Sequence, residues 1–423
     1  MSLPPDLVAD LFRHRYARLV ASLCSAIGPN RLDLVEDVVQ EALVRALRVW
    51  PAEGVPENPE AWVFRVARNL ALDSLRRQKV KTRIDAELQR DTNEAILPPA
   101  AGDDDRIADD TLRMLFLCSH PAVPADARVS LILKTVCGFG VPAIARALLQ
   151  KEATIAQRLV RAKAKLQGGD VQFEMPGPIE LQARLDLVLQ VIYLVFTEGH
   201  RAHAGASLVR SDLVDEALRL LALVLERPGP GAPQAHALMA LMLFLGARMP
   251  ARVDASGDLV PLAQQDRSHW NRTWLAYGFE HFRHSIGGER LTAYHCEAAI
   301  ASVHAAATTY ADTDWPRILR EYDRLLQIGP SPVVRLNRAV AVGKVHGAAA
   351  GLQALAGLAG DKALDDYFLL GAVTAQLHWE LGACAAAAAE LRAALQQPCS
   401  EPERRLLERR LAACERGEPA PPW

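Results

Sequence analysis

Apolar residues recur at every third and fourth position through most of the chain, the spacing of helices that bury one face. Between residues 33 and 50, Leu34, Val38, Ala42, Leu43, Ala46 and Leu47 form such a stripe, with Glu36, Asp37, Gln40 and Glu41 among the outer positions. Over residues 59–83 the stripe is Trp62, Val66, Leu70 and Leu75, and Arg65, Arg68, Arg76, Arg77, Lys79, Lys81 and Arg83 supply charge. Residues 50–62 hold three prolines and one glycine, so a loop is predicted over 51–59. In residues 138–166, Val141, Ile144, Ala145 and Leu148 mark a short helix and Leu149, Gln150 and Lys151 a break. Ile155, Leu159, Ala162 and Leu166 then face inward on another helix. Helical periodicity continues beyond residue 170, with Gly and Pro at the breaks. The expected fold is all-α: two small helical domains, the second a helix-turn-helix, then a large helical extension.

The outer face of the helix after the break is polar and basic. Lys151 stands at its entry, and Thr154, Gln157, Arg158, Arg161, Lys163 and Lys165 project away from its apolar stripe. Such a helix end fits a major groove, with Arg and Lys reaching phosphates or guanine edges. One basic helix alone is ordinarily a solvated face. Two on one chain point to two DNA-contacting elements, and the acidic outer face over 36–41 suits a basic protein partner.

The chain has 423 residues and a net charge of only −2, so the basic faces are offset by acids elsewhere. Residues 85–110 carry many of them, with prolines, and read as a flexible tether. The seven cysteines lack C-x-x-C spacing, which argues against a zinc site or disulfide framework and fits a reducing cytoplasm. The N-terminus lacks a signal pattern. The longest apolar run, residues 185–196, is broken by Asp186 and Gln190 and reads as a buried core helix, so no membrane partner is expected.

This order of parts resembles a bacterial RNA polymerase sigma factor of the extracytoplasmic-function, sigma-70 class. VEDVVQEALVRALR is similar to the polymerase clamp-binding region, ENPEAWVFRVARNLALDSLRR to the region that melts and reads the −10 element, and AIARALLQKEATIAQRLVRAKAKL to the −35 reader. The resemblance implies that Glu36, Asp37, Gln40 and Glu41 face the clamp of the largest polymerase subunit. It implies that residues 51–59 capture an extruded base, and that Trp62, Arg65, Arg68, Asn69, Arg76 and Arg77 serve the −10 region, although Trp62 on its apolar stripe has a core role open to it. Lys151, Thr154, Gln157, Arg158, Arg161, Lys163 and Lys165 would serve the −35 element. The implied domains are 1–82 for sigma region 2, 83–108 for the linker, 109–168 for region 4 and 169–423 for the extension. Core RNA polymerase and promoter DNA are the implied partners, without a cofactor.

The extension resembles that of a sigma-factor subgroup with a tetratricopeptide-like C-terminal domain, through VIYLVFTEGH, ARVDASGDLVPLAQQDRSHW, AAIASVHA, TDWPRILREYDRLL and PSPVVRLNRAVAVGKVHGAAAGL. The first piece departs from the subgroup's FNEGY at Thr197 and His200. From about residue 290 the repeat logic is clearest: Gly382, Ala387, Leu391, Ala394 and Pro398 nearly match the repeat's turn glycine, small packing residues and closing proline. A helix pair turning at His346 and Gly347 is a weaker copy. Stacked helices leave a groove for a protein or peptide. The extension could hold the sigma part inactive, contact polymerase or receive a signal.

Glu198, His200, His203, Asp254, Asp266, His269, His295 and His304 are the residues that could serve metal or acid–base chemistry. No H-E-x-x-H, G-x-S-x-G or phosphate-binding glycine loop accompanies them, so caps and core contacts are expected and no enzyme activity or metal. Asp254 and Gly257 read as a turn capped by the Asp254 carboxylate. The alternative function is an operator-binding helix-turn-helix regulator, with an interaction domain, that never joins polymerase. An acidic helix, a proline-rich loop and a basic helix over residues 33–77 have no use in such a protein.

Overall fold

A computed structural model describes residues 16–81, 104–148, 150–168, 173–200, 211–226, 229, 232–288, 290–358, 360–365 and 367–422. Among them are eighteen α-helices and no strand, the all-α architecture expected from the periodicity. Most of the stretch read as a tether, His203 and Leu149 of the predicted break lie outside the described residues. The chain divides into two compact units, Met1–Val195 with Ala222–Gly229, and Phe196–Leu221 with Pro230–Trp423.

In the first unit, α1 (Tyr16–Ile27), α2 (Leu32–Glu53) and α3 (Pro59–Lys81) pack on one another. Their core is Leu19, Val20 and Leu23 of α1, Leu32, Val35, Val39 and Leu43 of α2, and Val63, Phe64, Ala67 and Ala71 of α3. Of the predicted α2 stripe, Val38, Ala42, Leu43 and Ala46 are buried, Leu34 is half-buried and Leu47 exposed; in α3 the stripe is rotated, and Trp62, Val66, Leu70 and Leu75 are only half-buried beside the seam. Helix α2 also runs through Pro51, whose missing N–H removes only one bond in the last turn. It ends at Gly54, where φ is 88° and the N–H donates to the Trp50 carbonyl at 2.9 Å. The loop is thus shorter than predicted, and the Asn58 carboxamide oxygen caps α3 by accepting from the Ala61 N–H at 2.9 Å.

The unit continues through α4 (Asp104–Cys118), α5 (Ala125–Thr135), α6 (Val141–Ala147) and α7 (Glu152–Gly168). Helix α4 begins inside the stretch expected to be linker. Ile144 and Ala145 of α6 and Ile155, Leu159, Ala162 and Leu166 of α7 are buried, as their spacing requires. Helix α4 packs on α1, and α7 packs on α5, α6, α2 and the 3-10 turn Pro29–Arg31. Cys24 of α1 and Cys118 of α4 are free and buried. Burial pushes the Cys118 thiol up to about 12, so it stays protonated and unreactive. Next come α8 (Pro178–His200), with Val188, Leu189 and Ile192 buried as read, which passes into the second unit at Phe196, and α9 (Ser211–Leu225), which belongs to the second unit up to Leu221. No helix among the described residues is long and apolar enough to cross a membrane.

The second unit runs through α10 (Ala232–Gly246), α11 (Arg272–Ser285), α12 (Ala293–Ala306), α13 (Trp315–Ile328), α14 (Pro332–His346), α15 (Ala348–Leu355), α16 (Phe368–Glu380), α17 (Cys384–Ala394) and α18 (Glu401–Glu415). Each packs against the next, and α10 packs against both α11 and α12, which is why it is apolar on nearly every side. Gly347 (φ 89°) turns α14 into α15, and Gly382 (φ 74°) lies between α16 and α17. Ala387, Leu391 and Ala394 are buried in the seam of the second pair. The Asp254 carboxylate accepts from the N–H groups of Ser256 and Asp258, each at 2.9 Å, closing the turn read from the sequence. Asp258 in turn binds Arg405, at 2.5 Å, and Arg409 of α18.

Candidate nucleic-acid and polymerase interface

The basic positions of α3 lie mostly on one open face. Arg65, Asn69, Arg76 and Arg77 are exposed and Arg68 is half-buried. Arg76 sits 3.6 Å from the Asp73 carboxylate and Arg77 donates to the Asp73 carbonyl at 3.3 Å, contacts too exposed to hold either cation firmly. Trp62 is half-buried and meets Trp50 edge to face, with ring centroids 5.5 Å apart. It is therefore anchored on α2 rather than standing free as a stacking platform.

On α2, Asp37, Gln40 and Glu41 are exposed. Glu41 pairs with Arg45 one turn on, at 3.1 Å. Glu36 corrects the expectation of an outer position: only 3% of it is exposed. It is covered because α7 crosses α2 there and delivers Lys163, which pairs with Glu36 and, at 2.9 Å, with Asp33. Gln167, one turn further along α7, donates to Asp33. Burial opposes the Lys163 charge, but Glu36 and Asp33 together outweigh it and hold the ammonium above its usual range.

Helices α6 and α7 meet around residues 148–151, with the Gln150 N–H donating to the Ala145 carbonyl at 2.8 Å. Lys151, Gln157, Arg161 and Lys165 are exposed on α7 and at its entry, while Thr154 and Arg158 are half-buried. Arg158 and Arg161 share the Asp126 carboxylate of α5 at 3.3 and 3.2 Å, with Arg161 and Asp126 both largely open to solvent. Lys163, expected on the same outer face, instead turns toward α2, the second correction among the site residues. Val160 is 68% exposed beside Gln157 and Arg161 and gives that face an apolar point. Asp33 and Asp126 were not singled out from the sequence. Asp33 lies one turn before Glu36 and could have been placed beside it, whereas nothing in the local pattern marks Asp126.

The possible metal ligands are dispersed into other work. The His200 ring stacks on Phe196 at 5.5 Å and contacts Arg252. Asp266 caps a 3-10 turn by accepting from the Ser268 N–H at 2.8 Å, and His295 forms a capping box with Thr292. Among the described residues no group of three or more His, Cys, Asp or Glu side chains is arranged to hold a metal ion.

Against known proteins, the family "Sigma-70 region 2" matches residues 12–80, the segment that contains α1 to α3. A "Family of unknown function (DUF6596)" matches residues 184–286. The uncharacterized protein R00370 of Rhizobium meliloti (strain 1021) is 41% identical over 361 residues, covering 84% of each chain. The ECF RNA polymerase sigma-E factor of Escherichia coli (strain K12) is 27% identical over 153 residues, 35% of this chain and 79% of that protein. Its counterpart from Salmonella typhimurium (strain LT2) is 26% identical over the same length. No solved structure matches the chain. The chain thus belongs to one family with the Rhizobium meliloti protein R00370, and its N-terminal segment matches sigma-70 region 2.

Proposed function

We propose that the protein is a sigma factor of the extracytoplasmic-function class that binds core RNA polymerase and directs promoter recognition, melting and initiation. The observation that carries this reading is the region 2 match over α1 to α3, where one helix offers Asp37, Gln40 and Glu41 and the next offers Arg65, Asn69, Arg76 and Arg77. The acidic face suits the polymerase clamp and the basic face the −10 strand. Helices α6 and α7 act as the −35 helix-turn-helix through Lys151, Gln157, Arg158 and Arg161. The test is co-elution of the full chain with core polymerase. Asp37→Ala with Gln40→Ala abolishes it on this reading, and retention contradicts the clamp assignment.

The pairing of Lys163 with Asp33 and Glu36 ties the −35 helix to the clamp helix. In this state Glu36 and Lys163 mask each other, so engaging polymerase and promoter together requires the pair to open. The extension regulates that step in cis. Its tetratricopeptide-like reading is supported by the hairpins α14–α15 and α16–α17, whose groove takes a protein or peptide. The operator-binder alternative has no use for the exposed acidic positions of α2.

A further inference from the structure

The second unit buries several unpartnered polar side-chain atoms close together, beside Arg248, which forms no ion pair among the described residues. Arg248 follows α10, Arg267 and Trp270 belong to the 3-10 turn before α11, and His304 lies near the end of α12. The Arg248 guanidinium carbon lies 5.6 Å from the Trp270 ring centroid and that of Arg267 lies 4.6 Å from it. One Arg267 nitrogen, Nη1, is accounted for, donating to the carbonyls of His304 and Ala307 at 2.6 and 2.7 Å and so closing the C-terminal end of α12. The others are not. Arg248 Nε, Arg267 Nη2, Trp270 Nε1 and His304 Nδ1 are all buried without a hydrogen-bond partner, and Trp270 is only 3% exposed.

Burying polar atoms of this kind is costly unless something accepts from them, and native folds tolerate few. Here four side chains bring such atoms to one spot. Burial is the first reason the Arg248 guanidinium is lowered, to about 9, and the cations Arg252 and Arg267 add to it. Arg252 is already engaged with His200, and Asp312, whose charge favours the Arg267 cation, accepts from Thr309. Among the described residues no carboxylate pairs with Arg248.

We propose that Arg248, Arg267, Trp270 and His304 form a binding site for a small tetrahedral oxyanion of the phosphate type, free or as the phosphoryl group of a small metabolite. Guanidinium forks fit phosphoryl oxygens bidentately. A carboxylate presents its acceptor sites in one plane, whereas a phosphoryl group presents at least three oxygens tetrahedrally and can accept from donors that arrive from several directions. The site lies wholly in the second unit, within and just beyond the stretch matched by the family of unknown function, and the inference is independent of the sigma-factor reading. It gives the extension a small-molecule input.

The experiment is thermal melting and calorimetric titration of the full chain with inorganic phosphate, at ionic strength held constant with sodium chloride. Saturable binding that raises the melting temperature is expected. Trp270→Phe, which keeps a six-membered aromatic ring and removes the pyrrole ring with its N–H, weakens phosphate binding several-fold. Arg248→Met abolishes the phosphate-dependent shift while leaving a folded chain, because the core gains an apolar side chain in place of an uncompensated cation. If Arg248→Met fails to fold, Trp270→Phe carries the test. A phenyl phosphate arm distinguishes a phosphate ester from the free ion. An equal shift from acetate, no saturable shift, or an unchanged shift in Trp270→Phe overturns the proposal.

Discussion

Lys163 decides how the first unit is held together. Its two carboxylates stand 130 and 127 positions earlier in the chain, so no local pattern could place it, and on its own helix it simply flanks the apolar stripe. Lys163→Ala leaves Glu36 buried without its cation and is expected to destabilise the first unit by about 3 kcal/mol in a urea melt. Adding Glu36→Leu recovers much of that loss, and simple additivity of the two substitutions would show that the pair is not coupled. The exposed arginines behave differently. Arg161→Ala gives up only a solvent-exposed contact with Asp126, so the fold is unaffected. Promoter binding in a salt-controlled titration weakens by about 1–3 kcal/mol if Arg161 reads a base, and an unchanged titration removes it from the interface. His304 gives a pH signature: burial, then Arg248 and Arg267, lower its imidazole to about 3. The unfolded chain binds this proton near pH 6.5 and the folded chain only near 3. Stability present above pH 6.5 is therefore lost as pH falls toward 3, with a slope of up to about 1.4 kcal/mol per unit from this group. Denaturant melts at pH 7 and pH 4.5 read it, and His304→Phe flattens the slope.

Helices were legible because periodicity sees the inside of each element, but which residues face a neighbour depends on how many neighbours there are. Helix α2 touches α1, α3 and α7, so its buried arc is wider than one stripe and takes in Glu36. Pro51 was read as a helix stop, yet in a last turn it costs one hydrogen bond and the true terminator is Gly54. In the extension, close crossings rest on glycines that a periodicity count treats as breaks. A Cβ at Gly246 of α10 would meet the Trp274 ring at 2.5 Å, and one at Gly278 of α11 would meet the Phe244 ring at 2.7 Å. Neither ring is a flexible chain end, so Gly246→Ala and Gly278→Ala each cost about 1–3 kcal/mol despite better helix propensity. A melting temperature at or above that of the parent chain would contradict this packing.

At the scale of the whole chain, the order of acidic helix, proline-rich loop, basic helix and a later short helix followed by a basic one was written in the sequence because each part carries its own charge and turn chemistry. The packing of α7 onto α2 was not, since an acidic, proline-containing connector argues for separation and is silent about docking. The helical character of the extension was legible, while the buried polar groups around Arg248 and Trp270 come together only through folding. The central claim is that this chain confers initiation on RNA polymerase, and run-off transcription tests it most directly. Core polymerase and the full-length chain are combined on a template carrying the gene's own upstream region. A discrete transcript that depends on the chain, and is lost with Asp37→Ala plus Gln40→Ala, is the predicted result. Sequence-specific binding of the chain to that template, with no transcript and no association with core polymerase, would contradict it.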